Sequence, residues 1–372
     1  MIRYRTSGIG YRQVAGMSYA DSILIQRLRF PLAVMVVFIH CGNRLFVKGG
    51  EWLRIMLADV IPAIAVPLFY LISGYLFFQG LEAWDWNEWK NKMRRRINTL
   101  LIPYLIWTSL YIAYVYLHQC RLSLCAEGGW IPVSQWFSDN GGIRMWWDSI
   151  VTENSHPLGY RIISAHPFHR VMWFVRDLMV VNLLSPFIHW ALRKGGKWIL
   201  VGLLLLYLLE LWPRFHSIGI TCVFFYATGA YLSVNGRDLG KSFSKWKASS
   251  WFASFLLLAP MILIRKSDSY ILLRPIWCIV WMVAFVNMMA VLPLERDERI
   301  ITFLSDSSIF VYVTHSVVLS NIRQAFLVLL LVHFSEVTVF LFTAMLTVPF
   351  CVSVYYLIRK GFPRVCAFIC GR

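Results

Sequence analysis

RFPLAVMVVFIH, residues 29–40, is the stretch on which the fold turns. Ten uncharged residues separate its Arg from its His, and apolar runs of this kind recur along the 372-residue chain. A hydrocarbon layer about 30 Å thick calls for helices of about 20 apolar residues. Measured that way, spans fall near 23–41, 55–78, 97–117, 171–191, 198–212, 218–234, 249–264, 270–293, 300–319 and 336–358. Apolar residues make up 58% of the chain and charged residues 15%, with a mean hydropathy of +0.60. Soluble domains hold roughly 45–50% apolar residues. Many of the 17 Trp stand near the ends of apolar runs, as at Trp84, Trp86 and Trp89 or Trp146 and Trp147. Amphipathic rings gather at the membrane–water boundary, so these form an aromatic belt. A large soluble helical core would need polar helix faces that these runs lack. The expected fold is therefore all-α, a polytopic membrane bundle of about ten transmembrane helices.

The formal net charge of +17 raises a nucleic-acid surface as an alternative, and its distribution argues against one. With both termini on one side, about 21 of the 36 Lys and Arg fall in the loops of that side. They include Lys90, Lys92, Arg94, Arg95, Arg96, Arg193, Lys194, Lys197, Arg237 and Lys241. About 11 fall on the opposite side and four lie inside spans. This positive-inside bias predicts cytoplasmic termini in a cell (inner or plasma) membrane, with lipids as partners and no nucleic acid. The expected organisation is a cytoplasmic segment 1–22, a membrane domain 23–359 and a cytoplasmic tail 360–372. Residues 1–16 are basic and polar without a long apolar core, so no cleavable signal peptide is expected there.

One long hydrophilic segment, 118–170, falls on the outer side. Its aromatic and Gly content (Trp130, Trp136, Gly141, Gly142, Trp146, Trp147) predicts an ordered cover. Cys120 and Cys125 share this loop, where an oxidising compartment would permit a disulfide. Free thiols there are the alternative. His166 and His169 lack cysteine or carboxylate company, so no metal site is expected.

Ionisable groups inside spans are costly and mark functional sites by default. Arg29 and His40 are eleven residues apart, about 16 Å and about three helical turns. Both therefore project from nearly one face and could line one vertical chamber. The bland readings are a snorkelling Arg and an interfacial His. Span two ends in FYLISGYLFF (69–78), where Ser73 and Gly74 either let helices pack closely or leave room for a ligand. KMRRRINTLLIPYLIW (92–107) then brings Lys92, Arg94, Arg95 and Arg96 before Pro103, a cluster suited to phosphate or to lipid headgroups. Arg176 and Asp177 open span four in MWFVRDLMVV (172–181), and Tyr312 and His315 sit in SSIFVYVTHS (307–316).

In that order, the Arg29–His40 spacing, FYLISGYLFF, the basic run into LLIPYLIW, WFVRDL and YVTH resemble the acyltransferase-3 family of integral membrane acyltransferases. Within it, bacterial surface-polysaccharide O-acyltransferases are the nearest likeness. The resemblance covers about residues 20–358 and implies transfer from cytoplasmic acyl-CoA, often acetyl-CoA, to a glycan or glycolipid hydroxyl at the outer face. It also implies that His40 matches the family's catalytic His and Arg29 its paired Arg. The family often carries a second Arg three residues after the first in the basic run, whereas Thr99 follows Arg96 here. The expected donor site comprises Ser73, Gly74, Lys92, Arg95 and Arg96. Arg176, Asp177, Tyr312 and His315 would bind the acceptor or orient His40. A transporter or lipid-linked glycan flippase would share such a chamber without an acyl donor, and internal repeats, frequent in transporters, are missing here. A membrane sensor or partner-binding subunit is a third class.

Overall fold

The structure, a computed structural model, describes residues 17–42, 51–81, 83–126, 128–212, 218–292, 298–329 and 336–371. Residues 1–16, on which the expectation about a leader falls, lie outside these. The long helices are α1 (Tyr19–Gly42), α2 (Glu51–Phe78) and α3 (Trp86–Cys125). A small α4 (Val133–Asp139) follows, then strands β1 (Ile150–Ser155) and β2 (Arg161–His166). Next come α5 (Trp173–Leu183), α6 (Ser185–Gly195), α7 (Lys197–Leu208), α8 (Ile220–Val234), α9 (Leu239–Ser244) and α10 (Lys247–Leu263). The chain continues through α11 (Asp268–Val291), α12 (Glu298–Leu329), α13 (Glu336–Gly361) and α14 (Pro363–Ile369).

Among the described residues six helices are long and apolar enough to cross a membrane, or seven if α5 and α6, bent by 61°, form one span. The expectation of ten is not carried by helix length. α7, α8 and α10 have 12, 15 and 17 residues. At 1.5 Å per residue they reach only about 18–26 Å, short of the ~30 Å hydrocarbon layer. The all-α reading needs a second amendment, because β1 and β2 form an antiparallel hairpin.

Proline placement explains the irregular start of α2. Residues 55–60 form a π-turn and 61–64 a 3₁₀ turn around Pro62. Backbone carbonyls released there would be orphans in lipid. α11 collects them: Trp277 Nε1 donates to the Val60 carbonyl at 2.7 Å and Trp281 Nε1 to that of Ile61 at 3.0 Å. Pro67 has no N–H for the Ala63 carbonyl, and the Cys278 thiol approaches that oxygen at 3.6 Å.

Elsewhere the bundle closes backbone to backbone. A Cβ added at Gly74 would run into the Tyr226 carbonyl of α8, and one at Gly229 into the Leu71 carbonyl of α2. Small residues at a helix crossing permit that approach. Buried charges tie the ends together. Asp21 accepts from Tyr75 Oη (2.7 Å) and from the amides of Leu239 (2.8 Å) and Gly240 (2.9 Å), holding the start of α9. Arg27 donates to the carbonyls of Leu292 (2.6 Å) and Met289 (3.4 Å) at the end of α11.

Cys120 and Cys125 are free thiols, one buried and one exposed. Both belong to α3, where five residues amount to about 7.5 Å of rise and about 140° of rotation. That separation is too wide for a disulfide.

Candidate active site

α1 carries a cavity at each end. Toward its N-terminus, a cavity of about 340 Å³ is lined by Ser22, Gln26 and Arg29 of α1, Leu76 and Phe77 of α2, and Lys92, Arg95, Arg96 and Thr99 of α3. Asp85 caps the start of α3, accepting from the Asn87 amide at 2.8 Å, and the basic run continues as helix into the apolar span. Lys92, Arg95 and Arg96 recur at three- and four-residue steps, so one face of α3 presents all three. Two of the cations flank the Phe77 ring, Lys92 at 6.0 Å and Arg96 at 5.7 Å from its centroid. Lys92 Nζ also donates to the Gln79 carbonyl at 2.7 Å and lies 3.9 Å from Glu88. Arg94, on the same turn of the helix, is exposed and does not line this cavity.

At the other end of α1 lies a cavity of about 610 Å³, with His40, Asp177 and Tyr312 in its wall. His40 faces His315 of α12, ring centroids 5.1 Å apart and planes tilted by 44°. His315 is fully buried, and its Nδ1 lies 2.7 Å from the Tyr312 carbonyl and 3.2 Å from that of Val311. A carbonyl only accepts, so Nδ1 carries the hydrogen and Nε2 the lone pair of the neutral ring. The Tyr312 hydroxyl donates to the Val171 carbonyl, which pins α12 to the start of α5.

Between the two cavities Leu32 and Ala33 of α1 are fully buried. The cavities at the two ends of that helix face have no lining residue in common. The spacing brings Arg29 to one and His40 to the other. Gly74 is consumed by the contact with α8, and neither it nor Ser73 lines either cavity. Arg176 is not in the wall either. Its guanidinium grips Asp177 (Nη2–Oδ1 2.8 Å) and donates to the Trp147 carbonyl at 2.6 Å, tying the outer segment to α5. The neighbouring Asp177 faces the cavity.

Most of the 118–170 segment is folded: α3 runs on to Cys125, and α4 and the β1–β2 hairpin follow. Tyr104 and Trp146 hold it to α3, through the Trp146 carbonyl and through Trp146 Nε1 to Ser109 at 3.0 Å. The β1–β2 hairpin brings Asn154, Ser155 and His156 into the cavity wall. His156 stacks on Tyr160 with centroids 4.3 Å apart, and Tyr160 donates to the Leu209 carbonyl after α7.

Several wall residues escape a reading by sequence: Asp59, His156, Tyr207, Glu210, Tyr270 and Arg274. A signal existed for Arg274, one of four cations inside spans. His169, which the sequence offered only as a partner of His166 without metal-ligand company, has neighbours of its own. Stacked on Tyr111 at 4.2 Å, it lies 3.1 Å through Nε2 from Ser316, next to His315 in sequence. Burial, then the neighbouring His315, pushes its imidazole down to about 3, so it is neutral at ordinary pH. Among the described residues no group of three His, Cys, Asp or Glu is disposed to hold a metal ion.

A family model described as an acyltransferase domain matches residues 25–356. A succinoglycan biosynthesis protein, ExoH, of Rhizobium meliloti (strain 1021) is 29% identical over 252 residues, 65% of this chain and 61% of that protein. The chain thus spans less than two thirds of that relative's length. No solved structure matches.

Proposed function

This chain belongs to the acyltransferase-3 family, and from that premise we propose that it is a membrane O-acyltransferase. It moves an acyl group from acyl-CoA, in the simplest case acetyl-CoA, to a hydroxyl of a cell-surface or lipid-linked glycan. The observation that carries this reading is His40, backed by His315, at one cavity and a cationic cluster at another, at opposite ends of one helix.

The chemistry asks for those parts. A thioester is already an activated acyl donor, whereas a sugar hydroxyl is a poor nucleophile until its proton is removed. In this reading the neutral His40 ring takes the hydroxyl proton as that oxygen bonds to the acyl carbon. The carbon–sulfur bond breaks, and the CoA thiolate leaves with the proton returned by the imidazolium. General-base catalysis of this kind contributes about 10²–10⁴ in rate. In this reading His315, whose ring stands beside that of His40, would steady the protonated imidazole. Arg95 and Arg96, with Arg29 and Lys92, fit the CoA phosphates, because guanidinium binds phosphate in bidentate fashion. Asp177 and Tyr312 are in position to meet the acceptor in the cavity wall.

The test is thiol release from acetyl-CoA by purified protein given a cell-surface glycan. His40→Ala is expected to lower turnover by about 10²–10⁴ and leave acetyl-CoA binding unchanged. Turnover near wild type would reject His40 as the base. Acetyl-CoA that neither binds nor reacts would reject the enzyme reading as a whole and favour a transporter.

A further inference from the structure

Four cations of the sequence lie inside apolar spans, and three have evident tasks. Arg27 holds the end of α11, Arg29 belongs to the cationic cavity and Arg176 is tied to Asp177. The fourth, Arg274, lies within α11 and lines the histidine cavity.

The carboxylates of that cavity are committed elsewhere. Asp59 pairs with Arg54 at 3.3 Å and with Arg265 at 3.1 Å, and Asp177 with Arg176 at 2.8 Å. Glu210 stands 3.8 Å from His156 Nε2. Among the described residues Arg274 has no carboxylate within 4.0 Å. Tyr207, Tyr270 and Glu210 surround it at longer range. Arg274 is exposed, so its guanidinium is open to the cavity, and an ionisable group that faces a cavity from inside a span marks a substrate path by default. Guanidinium is the side chain that pairs bidentately with carboxylate or phosphate.

We propose that Arg274 anchors an anionic group, a carboxylate or a phosphate, on the acceptor glycan, so that the histidine cavity selects acidic glycans over neutral ones. The proposal rests on the acyltransferase reading for what the cavity does with the glycan, but the binding it asserts is measured separately. A uronic acid would supply the carboxylate, and a lipid-linked precursor the phosphate.

The experiment is titration of the full chain in detergent, followed by tryptophan fluorescence. Four probes are used: tetraglucuronate, its tetramethyl ester, a neutral glucose tetrasaccharide and inorganic pyrophosphate. Tetraglucuronate or pyrophosphate is expected to bind at least tenfold more tightly than the ester and the neutral sugar. The anion whose binding Arg274→Gln weakens identifies the source of the charge, because pyrophosphate also fits the cationic cavity. Arg274→Gln should erase that preference without altering binding of the neutral sugar, and Arg274→Lys should restore part of it. Retained acetyl-CoA binding shows that the variants are folded. If Arg274→Gln does not fold, the wild-type comparison of acid with methyl ester still decides. Equal affinity for the acid, pyrophosphate, ester and neutral sugar overturns the proposal, as does a preference that Arg274→Gln leaves intact. A protein that binds the anion through Arg274 yet never consumes acetyl-CoA would refute the enzyme reading and spare this one.

Discussion

His40 and His315 meet because α1 and α12 pack side by side, and the tautomer of His315 follows from two carbonyls one helical turn back on its own helix. Those contacts fix the ring's orientation beside a second imidazole. The cationic cavity sorts its residues as sharply. Arg95 and Arg96 line it while Arg94, on the same turn of the helix, does not. Substituting each of the three by Gln changes the net charge equally, so differences among them report local contact and not the overall field. A charge-assisted hydrogen bond is worth about 1.5–3 kcal/mol, so Arg95→Gln and Arg96→Gln should each weaken acetyl-CoA binding roughly tenfold or more. Arg94→Gln should shift it by less than about twofold, because Arg94 does not line the cavity and a charge without a partner contact is worth little. Calorimetry giving three equal losses would remove the donor from this cavity.

At the scale of elements, the β1–β2 hairpin is the part without which the histidine cavity lacks a side. It lies in the one long segment between helices, contributes His156 to the wall and reaches the end of α7 through Tyr160. The donor cavity shares no residue with it. Replacing residues 150–166 by a short Gly/Ser linker should therefore depress acyl transfer to glycan by at least tenfold and leave acetyl-CoA affinity within about twofold of wild type, since linkers of that composition only span. Loss of both activities together would assign the hairpin a folding role. Its existence is weakly written: β1 and β2 have six residues each. The cover itself was legible, because Trp and Gly at 130–147 are poor choices for a solvated tail.

For the molecule as a whole, orientation decides whether donor and acceptor come from opposite sides. From the positive-inside bias we propose that the cationic cavity faces the cytoplasm and the His pair the outside. Cysteine reporters offer the check, with Lys245→Cys between α9 and α10 and Ser138→Cys in α4. In intact cells an impermeant maleimide should label Ser138→Cys and spare Lys245→Cys until the membrane is opened. The reverse pattern would invert the topology and move acyl-CoA binding to the wrong face.

Read alone, the chain specifies the membrane class, most helix positions and the residues at the two ends of α1, because apolar period and charge asymmetry act locally along it. It placed Arg29 and His40 on one face, and the structure agrees. What it could not decide was which neighbouring helices complete the cavity at each end of that face. Gly74 offered close packing or a gap from the sequence, and Gly229, more than 150 residues away, resolved it in favour of packing. Likewise Arg176 and Asp177 look alike as adjacent in-span charges, but one turns to the Trp147 carbonyl and the other to the cavity. The wall of that cavity is drawn from α1, α2, α5, α8, α11, α12 and the hairpin. Only tertiary packing brings those segments together, because burial and pairing there are set by partners remote in the chain.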